Sequence, residues 1–184
     1  MKHIGTIKIE TERLILRRFR IEDAPEMYRN WASDPEVTAY LTWPPHERVE
    51  DTKSILSDWI SKYGEQDFYN WAMELKETGE VIGNISVVAL YEPLSEAKMG
   101  YCMSRAYWGR GLMPEALRAV IALLFDEVGA NRVEARHDAR NPKSGRVMSK
   151  AGMLFEGVLR QAGKSNAGIC DEVVYAILRS DRKR

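Results

Sequence analysis

The sequence predicts an α+β fold, a single domain with a mostly antiparallel sheet of six to seven strands flanked by helices. Three observations lead there. Short alternating runs double back at turn residues: Trp71, Met73 and Leu75 alternate, Glu77-Thr78-Gly79-Glu80 turns the chain, and Val81 to Leu90 returns. One long amphipathic segment, Pro114 to Val128, carries Ala116, Leu117, Val120, Ile121, Leu124, Phe125 and Val128 at helical spacing. The 184 residues contain no repeat, low-complexity tract or linker, and that length suits one domain, here residues 1–184.

The elements follow in order. Thr11 to Ile21 reads as a first strand, with Leu14 and Leu16 on one side and Arg13, Ile15 and Arg17 on the other. Glu22, Asp23 and Pro25 open a helix, where acids and proline suit the first turn. Ser33-Asp34-Pro35-Glu36 stops one helix and starts another, and Thr42-Trp43-Pro44-Pro45 must be an irregular loop because proline removes backbone donors. Glu47 to Tyr63 spaces Ile55, Leu56, Trp59, Ile60 and Tyr63 for one helical face. Lys98 to Met103 is a third hairpin strand. After the long helix, stopped by Gly129, come a strand at Arg132–Arg136 and a short helix at Ser144–Ala151, where a serine is a common N-cap. Met153–Arg160 and Glu172–Leu178 are the last strands, with turn residues Gly163, Ser165, Asn166 and Gly168 between them. Arg182-Lys183-Arg184 reads as a solvated tail.

Composition excludes several classes. Lysine plus arginine and aspartate plus glutamate number 27 each, so the chain has no general attraction to nucleic acid or anionic membrane. Cys102 and Cys170 are too few for a disulfide scaffold and read as small core residues. His3, His46 and His137 are scattered and form no metal-binding pattern. Residues 1–15 hold no signal-peptide apolar run. The longest apolar stretch, Ala119 to Phe125, is far short of the ~20 residues that span a bilayer. The expected location is cytoplasmic.

One segment stands out chemically. Between Met103 and Glu115 a strand ends, Gly109 and Gly111 flank Arg110, and the long helix begins. Glycines let successive N–H groups converge, and a helix N-terminus adds partial positive charge, so the turn suits a phosphate or pyrophosphate. A tight strand–helix turn would have the same glycines. Two nucleotide motifs fail here: no Gly-Lys-Ser/Thr follows, and the third glycine of a dinucleotide fingerprint would fall on Pro114.

The chain resembles the GNAT superfamily of acetyl-CoA-dependent N-acetyltransferases, in the branch with the ribosomal-protein N-terminal (alanine/serine) acetyltransferases. The resemblance rests on Thr11-Glu12-Arg13-Leu14 with Leu16-Arg17, Trp43-Pro44-Pro45, Gly79-Glu80-Val81-Ile82-Gly83 and Gly100-Tyr101. It continues through Tyr107 to Met113, Asn141-Pro142-Lys143-Ser144, Lys150-Ala151-Gly152-Met153, Leu159-Arg160 and Asp171 to Tyr175. It implies a GNAT-like domain with a mixed sheet, acetyl-CoA as co-substrate, no metal, and an amine acceptor, in this branch a protein or peptide N-terminus. A small amine such as an amino sugar, polyamine or antibiotic is the alternative acceptor. A module that binds acyl-CoA without catalysis is a further alternative, and monomer and homodimer both remain open.

The resemblance also implies roles for residues. The coenzyme pyrophosphate would sit on Gly109, Arg110, Gly111, Leu112 and Met113, and the strand ending at Met103 would pair with the pantetheine arm. Asn141 would hold the end of that arm, Ser144 would stand near the thioester sulfur, and Trp43 would line the acceptor cleft. The chain departs from the pattern in four places. The basic or amide residue before the first glycine is Ala106, with Arg105 one position off. The usual acid tyrosine is Met148, which leaves Ser144 as the proton donor, and two customary carboxylate positions are Lys98 and Gly163.

The missing base bears on the acceptor. An α-amine of pKa about 7.8 is roughly one-seventh neutral at pH 7, whereas lysine, near 10.4, is neutral in roughly one molecule in 2,500. Without an assigned base, a weakly basic α-amine is the better acceptor.

Overall fold

Eight strands form one sheet in the order β1-β2-β3-β4-β5-β6-β8-β7. They are β1 (Ile9–Glu10), β2 (Leu14–Arg17), β3 (Asn70–Leu75), β4 (Val81–Tyr91), β5 (Glu96–Met103), β6 (Arg132–Asp138), β7 (Leu154–Ser165) and β8 (Gly168–Leu178). Every neighbouring pair is antiparallel except β5 and β6, which run parallel. The helices are α1 (Ala24–Met27), α2 (Pro35–Thr38), α3 (Val49–Ser61), α4 (Leu112–Leu123) and α5 (Pro142–Lys150). The computed structural model describes residues 1–182. Of the expected tail, Lys183 and Arg184 lie outside the described residues, while Arg182 is tied to Asp126 at 2.5 Å.

The sheet separates two apolar cores. One joins the inner residues of β2 to β6 to Met148 of α5, to α4 and to the π-helical turn Leu124–Val128 that continues it; the expected Pro114–Val128 helix thus changes type after Leu123, but its whole stripe is buried. The other packs Phe19, Met27, Trp31, Leu56 and Tyr63, from α1 to α3 and their flanks, against Ala72 and Val81. Beyond β5 the α1–α3 layer ends, and the sheet face carries charges instead of apolar side chains.

Several boundaries move. The expected strand at Thr11–Ile21 divides: Leu14–Arg17 pairs with β3, and the chain then turns so that Phe19 enters the second core. The extra two-residue β1 raises the strand count to eight. Ile55 and Ile60 are exposed, so only Leu56 and Tyr63 of the α3 stripe reach deep burial. The last two strands form a longer hairpin closed by Asn166-Ala167, with Gly163 inside β7 and not in the turn. Cys102, on β5, is half-buried, and the desolvation of its thiol pushes it up to about 12. Cys170 is half-buried, on β8.

A fault in the sheet positions the site. The β4–β5 register shifts between Val87 and Ala89, and a Cβ on Gly100 would lie 2.6 Å from the Val88 side chain. A bulge bends and twists its strand. Parallel pairing of β5 with β6 stops at Met99 and Ala135, so Gly100–Met103 is not paired with Arg136–Asp138.

Candidate active site

Beyond the end of β5 lies the glycine turn. Gly109 and Gly111 both have positive φ, +81° and +79°, a conformation that suits glycine. α4 begins at Leu112, two residues before the expected start, with Pro114 still inside its first turn. The first turn of a helix leaves its N–H groups without intrahelical acceptors. A Cβ on Gly109 would meet nothing within 4 Å, and one on Gly111 only the Arg13 guanidinium at 3.6 Å. The turn therefore has room beside its backbone and first-turn N–H groups without intrahelical acceptors, which fits a pyrophosphate.

The turn is braced from the opposite end of the chain. Arg13 donates to the Arg110 carbonyl at 2.9 Å, and Glu115 accepts from Thr11 Oγ1 at 2.6 Å and Arg13 Nε at 2.7 Å. Arg105, next to the customary basic position, turns away to Asp34 and Glu36, at 3.1 and 2.8 Å. Arg110 lies over the Tyr107 ring.

α5 forms the other wall. It begins at Pro142, so Asn141 is the flanking residue, and its side chain makes no capping bond. Ser144 is therefore inside the helix, and the N-cap role open to it in the sequence is taken by position at Asn141. The Ser144 Oγ lies 2.9 Å from Tyr101 Oη, and the Ser144 carbonyl oxygen is also within reach of that phenol, at 3.1 Å. Burial pushes the Tyr101 phenol well above its ordinary pKa. Lys143 places its ammonium 4.6 Å over the Trp108 ring, linking the start of α5 to the glycine turn. The Met103 carbonyl accepts the Trp108 indole N–H at 2.8 Å, which leaves one lone pair on that carbonyl.

The far face of the sheet is bounded by α2, the loop after it and the β7–β8 turn. Asn166 donates to the Trp43 carbonyl at 2.7 Å and to the Thr38 carbonyl at 2.9 Å. The half-buried Trp43 ring sits 5.3 Å from His46. Trp43 is thus at the junction of the loop and the β7–β8 hairpin.

Charged residues cover the face behind this junction. Lys98 lies 3.5 Å from Glu134, which also receives bonds from Arg132 and Arg136 at 2.9 and 2.7 Å. Burial alone would raise the Glu134 carboxyl, but these cations hold it well below the usual range. Asp138 is lowered chiefly by its bonds from Arg140. A Cβ on Gly163 would lie 2.8 Å from the Glu172 carboxylate, so Glu172 fills the space that a side chain from position 163 would use. Arg136 holds that carboxylate at 2.9 Å.

The sequence reading placed the glycine turn, Ser144, Asn141 and Trp43 around one opening, and the structure brings the first three to the end of β5. Tyr101, Arg13 and Glu172 had no assigned role. All three lie inside the matching segments, and nothing in their spacing ties them to Ser144, Arg110 or Gly163.

Among the described residues, no helix is long and apolar enough to cross a membrane, and no group of three or more His, Cys, Asp or Glu side chains is gathered for a metal ion.

Comparison with known proteins agrees with this geometry. Residues 13–154 match the acetyltransferase (GNAT) domain family. An uncharacterized N-acetyltransferase of Bacillus subtilis, YoaA, is 32% identical over 171 residues, covering 93% of this chain and 96% of that protein. The ribosomal-protein-serine acetyltransferase of Escherichia coli is 30% identical over 138 residues, covering 74% of this chain and 75% of its own. A GNAT-family acetyltransferase structure from Bacillus anthracis superimposes with a TM-score of 0.83 at 26% identity, covering 95% of this chain and 99% of that one. By the extent of these matches, the chain belongs to the GNAT family and is an acetyl-CoA-dependent N-acetyltransferase.

Proposed function

We propose that the chain transfers acetyl from acetyl-CoA to an α-amine, the N-terminus of a protein or peptide. Bound acetyl-CoA supplies the activated acetyl thioester. Gly109, Arg110, Gly111, Leu112 and Met113 hold its pyrophosphate through main-chain donors and the α4 N-terminus. Met103 and Asn141 hold its arm between the ends of β5 and β6, and Trp43 borders the acceptor entrance. Ser144 donates a proton as the thiolate departs.

The observation that carries the acceptor assignment is the state of the carboxylates. Lys98 is paired, position 163 is glycine, and Glu134, Asp138 and Glu172 are each engaged by arginine. An arginine-paired carboxylate favours its charged form and accepts a proton poorly. With these carboxylates already neutralised by cations, the face suits an acceptor that loses its proton by itself near neutral pH. An α-amine does this, and lysine does so far less often. The relationship to a ribosomal-protein acetyltransferase supports the same class.

The test uses a short peptide with a free N-terminus and an internal lysine, incubated with the enzyme and acetyl-CoA. Thiol release reports turnover, and mass spectrometry locates the acetyl group. Acetylation at the N-terminus is expected. Acetylation confined to the lysine, or turnover only with small amines, would overturn the assignment.

A further inference from the structure

The Ser144 hydroxyl is held by a group that comes from the sheet. Tyr101, on β5, reaches α5 and places its phenol 2.9 Å from Ser144 Oγ and 3.1 Å from the Ser144 carbonyl. A phenol has one proton and cannot donate fully to both acceptors. Two arrangements follow. If the phenol proton lies on the carbonyl, Ser144 can satisfy the phenol oxygen only by donating its own proton back, and that proton is then unavailable. If the phenol proton lies on Oγ, the seryl proton is free to turn elsewhere.

We propose that Tyr101 is a positioning residue for Ser144, donating its phenol proton as a hydrogen bond to Oγ so that the seryl proton faces the departing sulfur. This inference rests on the reading of Ser144 as the proton donor. The proton balance is simple. The acceptor nitrogen forms a bond to the acetyl carbon as the carbon–sulfur bond breaks. The Ser144 proton goes to sulfur, and the proton lost by the nitrogen returns to Ser144 through solvent. Tyr101 keeps its own proton throughout. Its hydrogen bond offsets the negative charge that gathers on Oγ while the seryl proton is shared. Burial favours this role, because it keeps the phenol protonated at every pH at which an amine acceptor reacts.

The arrangement also accounts for the loss of the customary tyrosine. Met148 occupies that position and is buried in the apolar core. The phenol arrives from the neighbouring strand and engages α5 one turn earlier, at Ser144.

Tyr101→Phe keeps the ring and its packing but removes the donor. It should lower kcat by roughly three- to tenfold, the effect of one neutral hydrogen bond. The KM for the amine and the dissociation constant for acetyl-CoA should not change. In a Ser144→Ala background the same substitution should have no further effect. As a second probe, a ring-fluorinated tyrosine at position 101 keeps the phenol as a stronger donor, and should match or exceed the parent kcat only while Ser144 is present.

The outcomes separate the two ideas. Parental turnover in Ser144→Ala overturns the Ser144 reading and the inference with it. A slow Ser144→Ala enzyme beside a fully active Tyr101→Phe enzyme overturns the inference alone. An equal loss from Tyr101→Phe in both backgrounds means the phenol acts on something other than Ser144, and also overturns it.

Discussion

Gly111→Asp gives a direct test of the pyrophosphate cradle. Position 111 has φ of +79°, and a Cβ there meets only the Arg13 guanidinium at 3.6 Å, so the side chain enters open space in a left-handed backbone. The conformational cost for a residue with a Cβ is about 1–2 kcal/mol. For a chain of this size, that lowers the melting temperature by roughly 2–8 °C. Asparagine tolerates this conformation better than most residues and has nearly the shape of aspartate. Gly111→Asn therefore carries the strain and bulk without the charge. The electrostatic part follows from Coulomb's law. A carboxylate about 5 Å from one phosphate charge, at an effective dielectric constant near 20, costs about 3 kcal/mol. Arg13 lies beside the new carboxylate and offsets part of this. A residual of about 1.5–3 kcal/mol corresponds to roughly 10- to 150-fold weaker binding. Calorimetric titration of acetyl-CoA into the two variants isolates the charge, because both share the same backbone strain. The gap between Gly111→Asp and Gly111→Asn should narrow as salt is raised. Equal acetyl-CoA affinity in the two folded variants would refute the cradle.

Three further outcomes are expected. Ser144→Ala should lower turnover by about 10²–10⁴-fold if Ser144 acts as a general acid, with coenzyme affinity unchanged; the measurement is kcat beside a binding titration, and parental kcat would remove Ser144 from the chemistry. With a peptide acceptor, kcat/KM should rise about tenfold per pH unit up to a pKa near 7.8 and then level off, whereas a rise continuing beyond about pH 9 would identify a lysine acceptor. The Glu134 carboxyl titrates at about 2 in the fold, below its unfolded value near 4.3, so its contribution to stability is complete above the unfolded value and is lost as pH falls toward about 2; Glu134→Gln should flatten the melting-temperature profile across that acid range, and an unchanged profile would mean that the arginine cluster does not act through Glu134.

What the sequence revealed depended on how local the signal was. The α4 stripe is periodic over four turns and is buried as its spacing demands. Its start moved because Leu112 and Met113 are themselves buried apolar residues, and proline is tolerated within the first turn. α3 was overread: Ile55 and Ile60 fit a helical face, but the α1–α3 layer is too thin to cover them. The β7–β8 hairpin was underread for a related reason. Much of β7 is exposed, so no hydrophobic alternation marks its full length, and its register slips between Leu159 and Gly163. The glycine turn was legible because two glycines before an amphipathic helix are a local pattern. The Tyr101–Ser144 pair spans 43 residues and the Arg13–Glu115 clamp 102, and no single-sequence periodicity connects such partners. The vacancy at Gly163 was visible, whereas its filling by Glu172 depends on how a bulged hairpin faces its strands.

The same backbone irregularity underlies fold and chemistry. The β4 bulge at Val88 stands opposite the point where β5 stops pairing with β6, at Met99. Gly100–Met103 is not paired with β6, and the first residue past the bulge-covered glycine is the one whose phenol reaches α5. The bulge requires glycine at position 100 because Val88 occupies the space of its side chain. Gly100-Tyr101 is therefore one device: the glycine makes room for the bulge, and the tyrosine holds the helix beside the unpaired stretch. A residue larger than glycine at 100 would press on Val88 and act on the opening itself, even though position 100 touches neither the glycine turn nor Ser144 among the described hydrogen bonds.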